Sequence, residues 1–279
     1  MPPYSSSLVM VLFLLLIVSL LSPCHGATVC NQDDQGSLLS FSSYLSSPLI
    51  WDPSTDCCLR EGVDCNETVG GRVTSLSLPF RDLTGTLSPS LANLTSLAHL
   101  NLSHNRPHDH LPVEFFSSLS GLQVLDLSYN HLDGELPSVD TSNLIPITIV
   151  DLSSNHFDGE LNHSNSFLRA AWNLRRLNVS NNSFTSQIPS KVCHISPVSI
   201  TLLEFSSNDF NGNLTPESWE CSKLEIFRAG FNNLSGMIPD DLYKTTSLVH
   251  FPLPVNYLSG PISDVVVNLI NLQVLCLHL

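Results

Sequence analysis

Apolar residues recur along this chain in short alternations of period two, and an asparagine follows each alternation at a fixed distance. The pattern is L-x-L-x-x-N, with other apolar residues replacing leucine in some copies. Its asparagines are separated by 25, 25, 27, 26, 24 and 24 residues, and they are Asn105, Asn130, Asn155, Asn182, Asn208, Asn232 and Asn256. The alternation predicts a strand whose apolar side chains share one face. Its recurrence at a nearly constant interval predicts a solenoid of stacked coils.

The frame extends beyond these seven copies. Leu76 and Leu78 fit it one repeat earlier, with Arg81 in the asparagine position, and Leu275 and Leu277 begin a ninth copy. We expect each asparagine amide to bond backbone groups of neighbouring coils, where a net hydrogen bond contributes about 1 kcal/mol. The coils then share one continuous parallel sheet, and no coil is stable alone.

A second string, L-x-G-x-I/L-P, follows several of the asparagines. It occupies residues 132–137 and 234–239, and related strings occupy 182–189 and 258–262. Glycine suits a sharp turn, and proline fixes φ where the next segment of the coil begins. Together the two strings resemble the plant type of leucine-rich repeat. The resemblance implies an α/β solenoid that forms a right-handed superhelix and carries a disulfide-bonded N-terminal cap.

The first residues have the composition of a secretory signal peptide. An apolar run at 8–21 is interrupted only by Ser19, and Cys24 and Gly26 are small residues at the −3 and −1 positions of a cleavage site. The run is short for a membrane span, which needs about 20 residues. We therefore predict a signal peptide over residues 1–26, with an uncleaved N-terminal anchor as the alternative.

Residues 27–70 have the content of a cap that covers the first apolar edge of a solenoid. Leu38, Leu39, Phe41 and Leu45 have helical spacing, which predicts a helix in this region. Four cysteines accompany it, and spacing alone allows three pairings of them. Their positions are Cys30, Cys57, Cys58 and Cys65.

The cysteine string at 57–65 resembles the Cys-Cys-x-Trp-x-Gly-Val-x-Cys hallmark of plant N-terminal caps. Arg60 stands where the hallmark has tryptophan, which predicts a weaker cap core in which Trp51 fills the space. The resemblance implies two disulfides, Cys30–Cys57 and Cys58–Cys65.

The rest of the chain, 71–279, is predicted to hold about eight repeats and the start of a ninth, without a C-terminal cap. Cys193 and Cys221 are 28 residues apart, close to one repeat. Because adjacent coils stack about 5 Å apart, residues one repeat apart can be neighbours. We predict a third disulfide there, which leaves Cys276, at an outward position of the last strand, as the cysteine outside the predicted disulfides.

Composition and charge narrow the function classes. The formal net charge is −14 and no basic stripe is present, which argues against a nucleic-acid partner. The densest group among eleven histidines is His108-Asp109-His110, which we interpret as a distorted solvent loop and not as a metal site. The acids Asp126 and Asp151 occupy equivalent positions of adjacent repeats, as expected for the polar face of a sheet. We therefore predict no enzymatic activity, cofactor or metal.

Eight sequons of the type N-x-S/T fit a secreted, glycosylated surface, although asparagine- and serine-rich repeats also generate such sequons by accident. Asn101 and Asn178 would place a glycan on the outward face of the strands. The eight are Asn66, Asn93, Asn101, Asn162, Asn178, Asn181, Asn213 and Asn233.

The string Arg-Ala-Gly-Phe-Asn-Asn-Leu-Ser-Gly at 228–236 and the string Leu-Pro-Val-Asn-Tyr-Leu-Ser-Gly at 253–260 support a closer resemblance. They are similar to strings of the tyrosine-sulfated glycopeptide receptors, plant receptor kinases related to the phytosulfokine receptors. The resemblance implies the peptide-sensing ectodomain of a cell-surface receptor, with a peptide or protein ligand and a co-receptor ectodomain as partners. It also implies that this chain ends before the family's peptide-binding repeats, membrane helix and kinase.

The outward strand positions form the candidate partner surface, because exposed aromatic and arginine side chains are typical binding anchors. Its anchors are predicted to be Tyr129, Arg176, Arg228 and Phe231. Three alternatives remain: these repeats only support the array, the chain is a freestanding secreted protein similar to polygalacturonase inhibitors, or it is a truncated product without activity.

Overall fold

The structure, a computed structural model, describes residues 29–47, 49–139, 144–161, 167–189, 192–196, 199–215 and 221–277. The predicted signal peptide lies outside the described residues. Over the described ranges the chain forms successive coils, each containing a short strand of one long sheet. The predicted solenoid is therefore confirmed.

The cap begins with helix α1 (Gln32–Tyr44). The Asn31 side chain accepts hydrogen bonds from the backbone N–H groups of Asp33 and Asp34, so it caps the N-terminus of the helix. Leu38 and Phe41 are fully buried on the inner face of the helix. The helix thereby covers the first coil, as a solenoid cap must.

An ion pair between a buried aspartate and a partly exposed arginine joins α1 to the sheet. Asp34 is buried, and its Oδ2 atom accepts from Arg72 Nε at 2.9 Å and from the Val73 N–H at 2.7 Å. Gly71 lies beside this pair with φ of 69°, and an added Cβ would come within 2.0 Å of the Val29 carbonyl oxygen. The close approach of these two backbone segments therefore requires glycine.

The cap contains two disulfides, Cys30–Cys57 and Cys58–Cys65. Arg60 lies beside them and is buried, with its guanidinium 5.6 Å from the Trp51 ring centroid. Arg60 Nη2 donates to the Thr55 carbonyl at 3.1 Å, whereas Nε and Nη1 have no hydrogen-bond partner among the described protein atoms. Burial lowers the pKa of Arg60, although the negative charges of Asp56 and Asp52 act in the opposite direction. Arg60 therefore takes the tryptophan position with incomplete hydrogen bonding.

Ten strands form the main sheet, in which only the first pair is antiparallel. Each strand of three residues pairs in register with its neighbours, so equivalent residues of successive coils form columns. In spatial order the strands are β1 (Val63–Asn66), β2 (Arg72–Ser77), β4 (His99–Asn101), β6 (Val124–Asp126), β8 (Ile149–Asp151), β10 (Arg176–Asn178), β11 (Leu202–Glu204), β13 (Ile226–Arg228), β15 (His250–Pro252) and β17 (Val274–Cys276).

Two further parallel sheets follow the asparagine turns, and the repeat pattern alone did not predict them. One sheet contains β3 (Thr84–Thr86), β5 (Arg106–Asp109), β7 (His131–Gly134) and β9 (His156–Phe157). The other contains β12 (Asn211–Asn213), β14 (Asn233–Gly236) and β16 (Tyr257–Leu258).

Strand β5 corrects one expectation. The segment around His108 was expected to be a distorted loop, but β5 pairs with both β3 and β7. Pro107 is buried where other repeats have leucine or phenylalanine. Asp109 has φ of 70° in the position that Gly134 occupies one coil later, and aspartate tolerates this left-handed conformation better than most residues. The substitutions therefore preserve the local backbone.

Short helices complete the coils, and those of neighbouring coils pack against each other. Two are α-helical, α2 (Phe115–Ser118) and α3 (Val192–Ile195), and a third disulfide, Cys193–Cys221, attaches α3 to the next coil. The 3-10 helices span Cys57–Leu59, Glu67–Val69, Pro89–Asn93, Phe167–Arg169, Asp240–Lys244 and Asp264–Asn268.

The repeat asparagines form a ladder of hydrogen bonds between coils. Asn155 Nδ2 donates to the carbonyl of Leu127 in the previous coil at 2.9 Å and to that of Leu152 in its own coil at 3.1 Å, while Oδ1 accepts from the Leu132 N–H at 3.1 Å. The bond to the previous coil recurs at 2.8–3.0 Å for Asn105, Asn130, Asn182, Asn208, Asn232 and Asn256.

Phenylalanine rings stack in the core beside this ladder. Phe184 lies between Phe157 and Phe210, with ring centroids 6.2 Å apart on both sides. All three rings are almost fully buried. The ladder and the stack both connect each coil only to its immediate neighbours.

Candidate functional site

The outward residues of the main sheet form a continuous surface, which we call the strand face. Two residues of each three-residue strand point outward because side chains alternate along a strand. The first column contains Ser75, His99, Val124, Ile149, Arg176, Leu202, Ile226, His250 and Val274. The second contains Ser77, Asn101, Asp126, Asp151, Asn178, Glu204, Arg228, Pro252 and Cys276.

Polar residues of the second column are held by a serine two residues later. Asp126 Oδ1 accepts from the Ser128 N–H at 3.0 Å and from its hydroxyl at 2.7 Å. The same arrangement recurs at Asn101, Asp151 and Asn178. These side chains are therefore already ordered, which reduces the entropy lost when a partner binds.

The strand face carries both signs of charge. Arg228 Nη1 lies 3.4 Å from Glu204 Oε2, and Asn178 Nδ2 donates to Asp151 Oδ2 at 3.0 Å. Arg176 lies in the first column of the strand next to Asp151 and is exposed. The arrangement offers hydrogen-bonding and charged groups beside half-buried aliphatic side chains, a composition suited to an extended polypeptide.

The structure separates the four predicted anchors. Arg228 and Phe231 lie in the same coil, while Arg176 lies two strands away from that coil and Tyr129 four. At about 4.8 Å per strand, Tyr129 and Phe231 are about 19 Å apart. No compact pocket can therefore contain all four, although a ligand that runs along the strand face can reach them.

Tyr129 and Phe231 lie at the edge of the strand face, immediately before a ladder asparagine. Their φ angles are 54° and 57°, and their side chains are 55% and 56% exposed. Tyr129 stacks on His104, which stacks on Phe80, with ring centroids 4.4 and 4.0 Å apart. The residue before the ladder position is left-handed in successive coils, so this conformation belongs to the repeat, and what distinguishes these two positions is the exposed aromatic ring that each carries.

The edge also contains a small apolar cleft near the last coils. Phe231, Val255 and Tyr257 line it together with asparagines, and its volume is about 360 Å³. Val255 and Tyr257 are 42% and 69% exposed. The cleft has room for one apolar side chain of a partner.

A second cleft on this edge was missed by the sequence reasoning. It lies beside Tyr129 and is lined by His131 and His156, whose rings stack with centroids 5.8 Å apart. Both histidines directly follow a ladder asparagine, so they occupy the same position in consecutive repeats. That shared position is the sequence signal that could have identified them.

The predicted glycosylation sites differ in exposure. Asn101 and Asn178 are half-buried on the strand face, and Asn162 lies outside the described residues. Exposed side chains belong to Asn66, Asn93, Asn181, Asn213 and Asn233. A glycan on any of these five would not require a buried side chain to move.

The clustered side chains that could bind a metal ion already form other bonds. In the described ranges, one group of at least three ligand-type side chains is close enough to hold an ion: Asp56 with Cys30, Cys57 and Cys58. Its cysteines are in disulfides and cannot supply thiolates. His110 Nδ1 lies 2.5 Å from Asp133 Oδ1, so these two side chains bond to each other.

Family models for the leucine-rich repeat match residues 95–157 and 173–195. This chain is a leucine-rich-repeat protein. It is 47% identical over 219 residues to receptor-like protein 3 of Arabidopsis thaliana, covering 76% of this chain and 29% of the relative. It is 35% identical over 246 residues to phytosulfokine receptor 1 of the same plant, covering 78% of this chain and 19% of the relative. The leucine-rich-repeat chain thus spans less than a third of either relative.

A shorter similarity relates 33% of the chain to polygalacturonase inhibitor 2 of Arabidopsis thaliana, at 37% identity over 95 residues and 29% of that protein. Among solved structures, the leucine-rich-repeat ectodomain of the receptor kinase GASSHO1/SCHENGEN3, in complex with Casparian strip integrity factor 2, matches with a TM-score of 0.80 and 29% identity over 88% of this chain and 29% of that one.

The receptor kinase HAESA, in complex with the peptide hormone IDA and the co-receptor SERK1, matches with a TM-score of 0.73 and 26% identity over 86% of this chain and 40% of that one. The fold and the receptor relatives indicate a non-enzymatic, ligand-binding repeat region. Within the described part of the chain, no helix is both long and apolar enough to span a bilayer.

Proposed function

We propose that this chain is the extracellular, peptide-sensing region of a plant cell-surface receptor that passes through the secretory pathway. The strand face supports the proposal. Its polar side chains are already held by hydrogen bonds before a ligand binds, and its two columns run without interruption across the coils. The two receptor-ectodomain neighbours were solved with bound ligands, which supports a peptide ligand and a co-receptor as partners here.

The test is a binding assay on the secreted chain with a panel of synthetic short plant peptides, sulfated and unsulfated. A sulfated or acidic peptide that binds the strand face should lose at least about tenfold affinity in the double variant Arg176→Glu and Arg228→Glu, because each reversal replaces an attraction with a repulsion. Lys223→Glu is the matched control, since Lys223 is exposed and lies outside both outward columns. Equal affinities of wild type and the double variant for every peptide would contradict the proposal.

A freestanding inhibitor of polygalacturonases is the second candidate, and the similarity to polygalacturonase inhibitor 2 favours it. Reducing-sugar release from polygalacturonate measures this activity directly. Inhibition at a stoichiometric concentration, lost in the same double variant, would favour the inhibitor over the receptor.

A further inference from the structure

The cleft beside Tyr129 is lined by polar and aromatic side chains. Its volume is about 470 Å³, and its lining presents a phenol, two imidazoles, two hydroxyls and an amide. The remaining lining residues are ladder asparagines whose amides bond backbone groups. None of the described residues that line it is an aspartate or glutamate, in a chain with a net charge of −14. The groups concerned are Tyr129, His131, Ser154, His156, Asn181 and Ser183.

The two imidazoles lie side by side on the cleft wall. His131 and His156 are exposed, and their rings are inclined by only 7° with centroids 5.8 Å apart. Asn181 Nδ2 donates to Ser154 Oγ at 3.2 Å, which leaves the Ser154 hydroxyl proton available for another acceptor. Imidazole and hydroxyl donors therefore converge on one space from three successive coils.

Charged groups around the two histidines come from β5, β7 and β9. Arg106 precedes His131 by one coil at the same repeat position, and it pairs with Asp82 at 3.4 Å. His108 is the register partner of His131. The neighbouring acids are all exposed or bonded outside the cleft, and they are Asp109 on β5, Asp133 on β7 and Asp158 after β9.

We infer that this cleft binds an oxyanion group, a carboxylate or sulfate, carried on the side chain of a protein partner. Protonated imidazoles and hydroxyls donate to the oxygens, and the exposed Tyr129 ring contacts the apolar part of the same side chain. A protonated imidazole adds a positive charge and a second N–H donor, so we expect stronger binding in mildly acidic solution than above neutrality. The cleft lies beside the strand face, so this inference does not require the peptide ligand proposed above.

The test follows the imidazole ring signals of the secreted chain by NMR, with ¹³C-labelled histidine and assignment through single His→Gln variants. The probes are sodium sulfate, balanced with sodium chloride at constant ionic strength, and a short synthetic peptide that contains Glu-Tyr-Glu. At pH 5.5 both probes should shift the His131 and His156 signals saturably. The dissociation constants at pH 7.5 should be about tenfold higher.

Ser154→Asp places a carboxylate in the cleft without removing an imidazole, and it should abolish saturation. Ser207→Asp is the matched control, because Ser207 has the same left-handed backbone position two coils later, with φ of 57° against 55° for Ser154. Unchanged His99 and His250 signals establish that both variants are folded.

Non-saturable shifts, or equal shifts in the wild type and Ser154→Asp, would overturn the oxyanion site. Saturation by sulfate without any response to the peptide would overturn the inference that the oxyanion is carried by a protein. Neither outcome depends on Arg176 or Arg228, so failure here is distinguishable from failure of the proposed receptor function.

Discussion

The cap and the coils hold themselves together in different ways. The cap combines two disulfides, an ion pair between the buried Asp34 and Arg72, and a buried arginine beside Trp51. The coils rely on asparagine hydrogen bonds that recur at each step and, in three successive coils, on stacked phenylalanines. The difference shows that an end of a solenoid must be stabilised by its own local features, whereas an internal coil is stabilised by its neighbours.

The largest expected effect belongs to the coil core. Phe184→Ala should destabilise the protein by about 4 kcal/mol, because it leaves a cavity between two buried rings. Denaturant unfolding measures the loss, and hydrogen exchange should show weaker protection in the adjacent coils with the cap still protected. Phe231→Ala, in an exposed ring, should change stability by less than about 0.5 kcal/mol. Equal loss of protection in the cap would contradict the local character of the coils.

The cap disulfides should have the next largest effect. Replacing both Cys30 and Cys57 by alanine opens a loop of 27 residues and should cost about 3.5 kcal/mol. The same change at Cys58 and Cys65 opens a loop of 7 residues and should cost about 2.4 kcal/mol. Thermal unfolding of the two double variants gives the ranking, and a reversed order would show that strain or residual structure dominates in the cap.

Variants of the asparagine ladder compare buried and half-buried positions within the coils. Asn155→Ala should cost about 3 kcal/mol, because it leaves buried backbone groups of two coils without partners. The equivalent change at the half-buried Asn182 should cost less, since water can replace part of the lost bonding. Asn211→Ala, at an exposed position, is the control for loss of an asparagine. Similar unfolding free energies for all three variants would exclude a structural role of the ladder.

The smallest expected effect is a gain in stability. Arg60→Met should stabilise the cap by about 1 kcal/mol, because it removes a buried charge whose Nε and Nη1 groups have no hydrogen-bond partner in the described part of the chain. Arg60→Lys should instead destabilise it, since a lysine keeps the charge and loses the contact between the guanidinium and the Trp51 ring. Loss of stability in Arg60→Met would indicate that the contact with Trp51 outweighs the cost of burying the charge.

Repetition explains what the sequence could predict. The fold was predictable because a side chain such as Asn155 has the same neighbours in every coil, so its role can be deduced from spacing alone. The strand face was predictable for the same reason, since the position between two buried apolar residues must point outward.

Features that depend on one coil's particular neighbours could not be predicted. Residues 106–109 form a strand because they pair with two other coils. Pro107 and Asp109 depart from the repeat pattern, so the sequence did not indicate a strand there. The stack of His104 on Tyr129 and the cleft around His131 arise only when adjacent coils are brought within a few ångströms. Burial of Arg60 likewise depends on the packing of Trp51, which a motif cannot show.

The asparagine bonds reach only from one coil to the one before it, and this has a consequence for how such a chain can change over time. A whole turn of about two dozen residues can be duplicated or deleted, and the remaining turns still find a matching carbonyl at each new junction. The outward residues of each turn can therefore vary while the asparagines and buried apolar residues stay the same. New recognition properties can then arise without a change of fold.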